Sequence, residues 1–245
     1  MKCFFAGKNS VDVLELLSAA GCVVTDSPAE ADFVVAHGGD GSLLQACRQF
    51  RSLPVLALRD RLNSELCSRH SQEDIIKRFL KGDMKKRRLP FLEGTCGGRT
   101  IYGINDIFIH NCQRGNALRY AVTIDGRNYA SGVIGDAVGV ATVHGATAYY
   151  RSITRSIFRV GIGLAFSNST ELVNHLVLAE DSVVDVEIIR GPGVMIADNS
   201  PEEICVPQGG AVTLCQSGIT AEVYGLEEFM CAKCRDLRHP RVVEE

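Results

Sequence analysis

An α/β domain followed by a β-rich domain is the fold class that the sequence predicts. The first third of the 245 residues alternates strand-like and helix-like apolar patterns, which is typical of a parallel sheet with helices on its faces. After residue 85 the chain contains mostly short β-type runs separated by turn residues. Glycine is divided in the same way, since 6 of the 24 glycines lie in the first 85 residues and 18 lie between Gly94 and Gly225.

The elements of the first domain follow one another closely. Short apolar runs bounded by polar turns predict its strands, and three-to-four-residue apolar spacing predicts its helices. Ser71 is the expected N-cap of the last helix, because its hydroxyl can accept a hydrogen bond from a free backbone N–H. The predicted strands are 2–6, 22–25, 31–36 and 54–58, and the predicted helices are 11–20, 42–50 and 71–80.

The second domain is expected to be mostly antiparallel. Asp125-Gly126 separates two β-type runs and predicts a hairpin turn, since both positions of that turn need a positive φ. The predicted strands are 99–110, 118–125, 128–133, 181–189, 211–215 and 219–223, with helices at 145–156 and 225–237. We therefore expect an α/β domain at 1–85 and a β-rich domain at 86–225, with 226–245 packing back on the first.

Composition excludes several classes of protein. With 46% hydrophobic and 22% charged residues, the chain is not intrinsically disordered. A net charge of −3 does not favour nucleic acid as a partner. No apolar stretch reaches the roughly 18 residues of a membrane helix, and the N-terminus lacks the apolar core of a signal peptide. The sequence therefore predicts a cytoplasmic protein that binds neither nucleic acid nor membrane.

The ten cysteines are interpreted as reduced thiols, as expected in a cytosolic protein. One pair, Cys231-Ala-Lys-Cys234, has metal-ligand spacing, and His239 follows it. A zinc ribbon would need a second pair at similar spacing. We interpret the pair as incidental cysteines of a terminal helix, and no set of protein metal ligands is assigned.

The most informative segment is His37-Gly-Gly-Asp40-Gly-Ser42, which follows a buried strand and precedes a helix. Glycines at the carboxyl end of a parallel strand allow backbone N–H groups to approach a ligand, and a helix N-terminus favours an anion. A carboxylate repels phosphate, so Asp40 suits a general base or a metal partner better. The alternative is a tight turn in which Asp40 only caps the helix. Neither a P-loop nor a G-x-G-x-x-G fingerprint occurs in the sequence.

Two later segments carry further polar residues. Asn105-Asp106 interrupts an apolar strand and could bind a base edge and a sugar hydroxyl, although a polar bulge is the alternative. The small-residue run 135–148 leads to Tyr149, whose ring could stack on a flat ligand. The alternative there is a core aromatic after a small-residue strand and turn.

Together, in this order, the three segments resemble the NAD kinase family. That family carries a GGDG motif in an α/β domain, an Asn-Glu or Asn-Asp pair on a strand, and a Thr-Ala-Tyr motif in a β-rich domain. The resemblance runs from about Phe33 to Asp198. It implies a Rossmann-like or phosphofructokinase-like α/β domain followed by a β-rich domain. It also implies transfer of a phosphoryl group from ATP, or from polyphosphate, to the 2′-hydroxyl of the adenosine ribose of NAD.

The resemblance also implies roles for individual residues. Asp40 would activate the hydroxyl or help to hold Mg²⁺ or another divalent metal. The phosphates would face Gly38, Gly39 and Gly41. The residues implied in NAD binding are Asn105, Asp106, Asp136, Thr147, Ala148, Tyr149, Ser152 and Asp198. The family further implies a homodimer or homotetramer with NAD and ATP as its small-molecule substrates.

Departures from the family pattern leave alternatives open. Ala137 replaces a glycine, Val143-His144 replaces Pro-Thr, and Ala146 replaces Ser or Thr. A glycine-containing loop after the fourth strand is replaced by residues 59–65, and a Gly-Gly after Tyr149 is missing. The leading hypothesis is a divergent NAD kinase. The alternatives are an inactive or regulatory NAD(P)-binding paralogue and a kinase for another hydroxyl, on a lipid or a nucleoside.

Overall fold

A computed structural model describes residues 1–7, 11–60, 70–113 and 115–234. The chain divides into two compact units. The first contains Met1–Leu89 together with the chain from Ala221 onward, and the second contains Pro90–Thr220. The first boundary therefore lies four residues beyond the expected position 85, and the return to the first unit begins five residues before the expected position 226. We call them the α/β unit and the β unit.

The described residues of the α/β unit form a parallel sheet. Strand β1 pairs with β2 and β3, and β3 pairs with β4, all parallel. The last residues of β16, Val223 and Tyr224, add a further parallel pairing to β4. The elements are β1 (Lys2–Gly7), α1 (Val11–Ala19), β2 (Val23–Thr25), β3 (Phe33–Gly38), α2 (Asp40–Gln49), β4 (Val55–Arg59) and α3 (Gln72–Leu80), with a 3₁₀ turn at Pro28–Glu30.

Apolar side chains on the strands and helices form the core of the α/β unit. Leu17, Phe33, Leu56 and Ile76 are fully buried and belong to one cluster. Strands β3 and β4 are buried along almost their whole length, which is the pattern of strands covered on both faces. The Ser71 hydroxyl accepts a hydrogen bond from the Asp74 backbone N–H at 3.0 Å, so the predicted N-cap of α3 is confirmed.

The β unit contains antiparallel strands in two groups. One has the order β12-β11-β10-β7-β14-β15, and in the other β13 pairs with β8 and β16 while β8 pairs with β9. Strands β5 and β6 form a hairpin. The strands are β5 (Arg87–Cys96), β6 (Arg99–Gly103), β7 (Asp106–Asn111), β8 (Leu118–Ile124), β9 (Arg127–Gly135), β10 (Ala137–Ala141), β11 (Ile162–Ser167), β12 (Leu176–Leu178), β13 (Val184–Arg190), β14 (Gly193–Ala197), β15 (Glu203–Val206) and β16 (Ala211–Tyr224).

Local sequence signals account for the turns and core of the β unit. Asp125 and Gly126 have φ values of 49° and 74° between β8 and β9, so the predicted hairpin turn is confirmed. Both strand groups contribute to one apolar core, to which Tyr120, Leu164 and Met195 belong. Among the described residues, no helix is both long enough and apolar enough to cross a membrane.

The helices at the two positions predicted after residue 85 are shorter than expected. The segment 145–156 folds as a 3₁₀ turn, Gly145–Thr147, followed by α4 (Tyr149–Thr154). The expectation of one helix over 225–237 is wrong, because α5 (Leu226–Phe229) ends before Cys231. A short helical stretch resumes at 232–234, and residues 235–245 lie outside the described part of the chain.

Candidate active site

The GGDG segment forms a tight strand-to-helix turn in the α/β unit. Strand β3 ends at Gly38, Gly39 is the N-cap, and α2 begins at Asp40. The expected start at Ser42 is therefore two residues late, and Asp40 is the first helical residue rather than the cap. Gly38 has a φ of +152°, and a Cβ atom there would lie 2.2 Å from the Ser42 Oγ. This turn therefore requires glycine at position 38, and it leaves Gly39 and Asp40 exposed at a helix N-terminus that favours anions.

An arginine holds the Asp40 carboxylate. Arg59, the last residue of β4, donates from Nη2 to Asp40 Oδ1 at 2.8 Å. Its side chain is only 6% exposed, whereas that of Asp40 is 66% exposed. Arg59 Nε donates to the Phe229 carbonyl at 3.1 Å, and its guanidinium lies 3.7 Å from the centre of the Phe229 ring. A buried, fixed cation thus orients a carboxylate that remains open to solvent.

Gln72 joins this arrangement to the strand that carries the GGDG turn. Its Nε2 donates to the Arg59 carbonyl at 2.8 Å and lies 2.9 Å from Nε2 of the buried His37. Because an amide nitrogen is only a donor, the His37 Nε2 is the acceptor. Sequence reasoning missed Gln72. It noted Arg59 only as a departure from the family pattern, and nothing in the local sequence indicates its contact with Asp40.

The Asn105-Asp106 pair lies in the β unit and is anchored by Asp198. The Asp198 carboxylate accepts hydrogen bonds from the backbone N–H groups of Ile104 at 3.0 Å, Asn105 at 2.7 Å and Asp106 at 3.2 Å. In return, the Asp198 N–H donates to the Asp106 carbonyl at 3.0 Å. Asp198 has a φ of +51°, a conformation that Asp tolerates better than most residues. Asp198 thus holds the backbone of Asn105 and Asp106 in place.

Burial changes the acidity of Asp106. The residue is almost completely buried, and this raises the pKa of its carboxyl to about 7, with the negative charge of Asp198 as the second cause. Near neutral pH, Asp106 therefore exchanges between a hydrogen-bond donor and an acceptor. A ribose hydroxyl can satisfy either state, because it both donates and accepts.

The glycine-rich turn of the third motif packs directly on the Asn105-Asp106 pair. The Thr142 hydroxyl donates to the Ile104 carbonyl at 2.5 Å and accepts from the Gly145 N–H at 3.1 Å. A Cβ on Gly145 would lie 1.9 Å from the Asn105 carbonyl oxygen, so only glycine fits there. The second and third motifs therefore form one cluster.

Residues 147–152 follow this turn along the 3₁₀ turn and α4. The half-buried Tyr149 ring packs edge-on against Phe108, with ring centres 4.8 Å apart, and lies 5.7 Å from the ring of His110. The Ser152 hydroxyl donates to the Tyr149 carbonyl at 2.7 Å. Thr147 is exposed and Ala148 is partly exposed beside them.

Asp136 does not join this cluster. It precedes β10, where Ala137 pairs with His110, whereas Ala141 at the other end of β10 pairs with Asp106. At about 3.3 Å per strand residue, Asp136 is about 16 Å from Asp106 along the sheet. Its exposed carboxylate accepts from Asn168 Nδ2 at 2.7 Å. The role of Asp136 in NAD binding stays a prediction.

Comparison with known proteins finds similarity to NAD kinases. An NAD kinase of Natronomonas pharaonis is 34% identical over 143 residues, which cover 54% of this chain and 52% of that protein. An NAD kinase of Halorubrum lacusprofundi is 29% identical over 202 residues, covering 78% of this chain and 70% of that protein. Over these residues the chain is similar to NAD kinases. No protein-family model matches it.

Solved structures of NAD kinase relatives share the fold. Yeast NADH kinase, solved with NADH, aligns with a TM-score of 0.83 over 100% of this chain and 89% of that chain, at 16% identity. An Archaeoglobus fulgidus NAD kinase, solved with ATP, aligns with a TM-score of 0.75 over 96% of this chain and 98% of that chain, at 18% identity. At such identities the likeness shows the fold alone. The sequence match spans about half the length of the Natronomonas protein.

Proposed function

We propose that the chain is an NAD kinase, which transfers a phosphoryl group from ATP, or from polyphosphate, to the 2′-hydroxyl of the adenosine ribose of NAD to form NADP. The observation that carries the proposal is Asp40: an exposed carboxylate at a Gly-Gly turn and a helix N-terminus, oriented by the buried Arg59. The similarity to NAD kinases supports the substrate pair. One solved relative was complexed with NADH and another with ATP.

Asp40 is the proposed general base. As the 2′-oxygen forms its bond to the transferred phosphorus, the bond from that phosphorus to the leaving oxygen of the donor breaks, and ADP leaves with the electron pair when ATP is the donor. The hydroxyl proton passes to Asp40. Because Arg59 occupies Oδ1, the other carboxylate oxygen is left for this proton. Such positioning of a nucleophile and its base is the main protein contribution to phosphoryl transfer.

The glycines and a divalent metal complete the proposed phosphate site. Gly38, Gly39 and Gly41 lack side chains at the start of α2, so donor phosphates can approach the backbone there. Mg²⁺ is usually held by one or two carboxylates, several waters and substrate phosphates. The exposed Asp40 carboxylate fits this pattern, so holding the ion is the alternative to its role as general base. When bound, the metal supplies charge neutralisation on the transferred group.

The β unit is proposed to recognise the dinucleotide. Asn105 and Asp106 offer an amide and a carboxyl for ribose hydroxyls and a base edge, and Asp198 fixes their backbone. Tyr149 offers a partly exposed ring for stacking, and Thr147, Ala148 and Ser152 line the same turn and helix. Residues 104–106 and 142–145 hold each other through hydrogen bonds, which supports a preorganised pocket.

Two parts of the proposal rest on the family resemblance alone. They are assembly as a homodimer or homotetramer, and Mg²⁺ as the preferred metal. The proposed cytoplasmic location rests on the sequence pattern described above. Light scattering of the purified chain measures the oligomeric state, and an activity series with different divalent ions measures the metal preference.

The function is tested by incubating the full chain with NAD, Mg²⁺ and a panel of donors: ATP, other nucleoside triphosphates and polyphosphate. Phosphorus NMR then locates the new phosphate. The proposal predicts NADP carrying a 2′-phosphate with at least one donor. Asp181→Asn, at an exposed aspartate of the β unit, is the matched control and should retain full activity.

The outcomes separate the three hypotheses. If NAD protects the chain against thermal unfolding but no donor yields NADP, the protein is a non-catalytic NAD-binding relative and the proposal is wrong. If another hydroxyl compound is phosphorylated in a screen of lipids and nucleosides while NAD is not, the proposed substrate is wrong.

A further inference from the structure

A histidine and two cysteines lie together in the α/β unit, away from the GGDG turn in sequence. His70 Nδ1 lies 3.4 Å from Cys234 Sγ, and one ligand atom from each of His70, Cys231 and Cys234 lies within 4.8 Å of the other two. Cys234 is fully buried, and the other two are partly exposed. The terminal cysteines are therefore not incidental members of a helix, because the fold brings them to a histidine about 160 residues earlier.

The donor set and its spacing fit zinc. Two thiolates and one imidazole are soft and borderline ligands that select zinc over Mg²⁺ or Ca²⁺. Zinc–sulfur bonds of about 2.3 Å and zinc–nitrogen bonds of about 2.0 Å place nitrogen and sulfur ligands about 3.5 Å apart in a tetrahedron. The distance of 3.4 Å between His70 Nδ1 and Cys234 Sγ is close to that value, and the ligand atoms of all three residues lie within 4.8 Å of one another.

Sequence spacing supports the same ion. Cys231 and Cys234 are separated by two residues, which is the usual spacing of a zinc-binding pair. Cys67 also precedes His70 by the same interval. Cys67 lies outside the described residues, so the site rests on the three ligands above.

The cluster lies next to the residues that hold Arg59. His70 stands two residues before Gln72, whose side chain donates to the Arg59 carbonyl. Cys231 stands two residues after Phe229, whose carbonyl and ring both contact the Arg59 side chain. An ion bound by His70, Cys231 and Cys234 would tie these two chain segments together on either side of Arg59.

We propose that His70, Cys231 and Cys234 form a structural zinc site that secures the C-terminal segment of the α/β unit beside Arg59. The proposal does not depend on the kinase activity, because the ligand set would bind zinc whether or not the chain forms NADP.

The first test measures metal in the wild-type full chain. Purified protein from zinc-containing medium is analysed by mass spectrometry for metals, and the zinc is then exchanged for Co²⁺. The expected results are about one zinc per chain and an absorption spectrum with thiolate-to-cobalt charge-transfer bands and tetrahedral cobalt bands. Because both readouts use the wild type, the proposal remains falsifiable if a variant does not fold. Absence of stoichiometric zinc after reconstitution, or a cobalt spectrum without thiolate bands, would overturn it.

The second test assigns the ligands. Cys231→Ser, Cys234→Ser and His70→Asn should each lower the zinc content severalfold and remove the destabilisation that a chelator causes in a thermal melt. Cys112→Ser removes an exposed thiol of the β unit and is the matched control, with unchanged metal content. Unchanged zinc in both cysteine variants, or recovery of a Cys231–Cys234 disulfide in place of metal under reducing purification, would contradict the assignment.

Discussion

Two aspartates, one in each unit, lie in contrasting environments that suit different tasks. Asp40 is largely exposed, lies at a helix N-terminus and is fixed by a buried cation. Asp106 is buried, lies beside a second carboxylate, and has a pKa raised to about 7. An exposed, oriented carboxylate suits proton transfer from an incoming hydroxyl, whereas a buried carboxyl on a backbone anchored by Asp198 suits recognition. The predictions below test whether the two units do divide chemistry and binding in this way.

The largest expected effect is that of Asp40→Asn on turnover. Asparagine can still accept the hydrogen bond from Arg59 but cannot take the proton, so kcat for NADP formation should fall by about 10²–10⁴-fold. Because the side chain is mostly exposed, the thermal midpoint should change less than in the Arg59→Ala variant. Steady-state kinetics and calorimetry measure both quantities, and a variant with more than half of the wild-type kcat would contradict the assignment.

Arg59→Ala is expected to affect both activity and stability. It removes the ion pair with Asp40, the hydrogen bond to the Phe229 carbonyl and the contact with the Phe229 ring, which together should cost about 2–4 kcal/mol of unfolding free energy. Without its orienting partner, Asp40 should support a kcat about tenfold or more lower. Urea unfolding and kinetics are the measurements. Arg59→Lys keeps the charge but not the planar fork, so it should lie between wild type and alanine. A kcat unchanged in the alanine variant would show that Arg59 does not position Asp40.

Asp198→Ala should weaken recognition more than chemistry. The change leaves the backbone N–H groups of residues 104–106 without their common acceptor, which should cost about 1–3 kcal/mol of stability. The KM for NAD should rise by about tenfold while kcat falls by less than threefold. Asp181→Asn is the exposed control in the same unit. A variant that lowers kcat and leaves KM unchanged would reverse the division of roles.

The last prediction concerns the pH dependence of folding at Asp106, an effect on stability rather than on turnover. Its pKa is about 7 in the folded protein and near 3.8 when exposed, so the folded state binds this proton more tightly. The resulting stability is fully present below about pH 4 and is lost as the pH rises towards and through 7. In Asp106→Asn this decline should disappear, and the variant should gain stability relative to wild type between pH 5 and pH 8. Urea unfolding at both pH values measures the difference, and parallel profiles for the two proteins would refute the raised pKa.

The sequence predicted best what depends on local pattern. The parallel strands of the α/β unit, the Ser71 cap and the Asp125-Gly126 turn each follow from a few neighbouring residues. The family resemblance rested on three short motifs, and the comparisons confirm it. The start of α2 was predicted two residues late. The N-cap is Gly39, which makes no side-chain hydrogen bond, whereas the prediction relied on the hydroxyl residue Ser42.

Contacts between distant segments could not be predicted. Arg59 reaches Asp40 and Phe229 only because β3, β4 and α5 lie together in the folded chain. Asp198 was proposed as an NAD-binding residue from the resemblance, but its hydrogen bonds to residues 104–106 depend on the pairing of β7 with β14. His70 was missed as a partner of Cys231 and Cys234 for the same reason, because it lies 164 residues before Cys234 in the sequence.

The most direct test of the proposed kinase function and of Asp40 as its general base is single-turnover NADP formation, with the protein in excess over NAD and with saturating ATP and Mg²⁺. We expect the wild type to convert the bound NAD to NADP. We expect Asp40→Asn to bind NAD equally well but to convert it at least about 100-fold more slowly. Equal rates for the two proteins would contradict the role of Asp40. Bound NAD that the wild type leaves unconverted with every donor would contradict the proposed function itself.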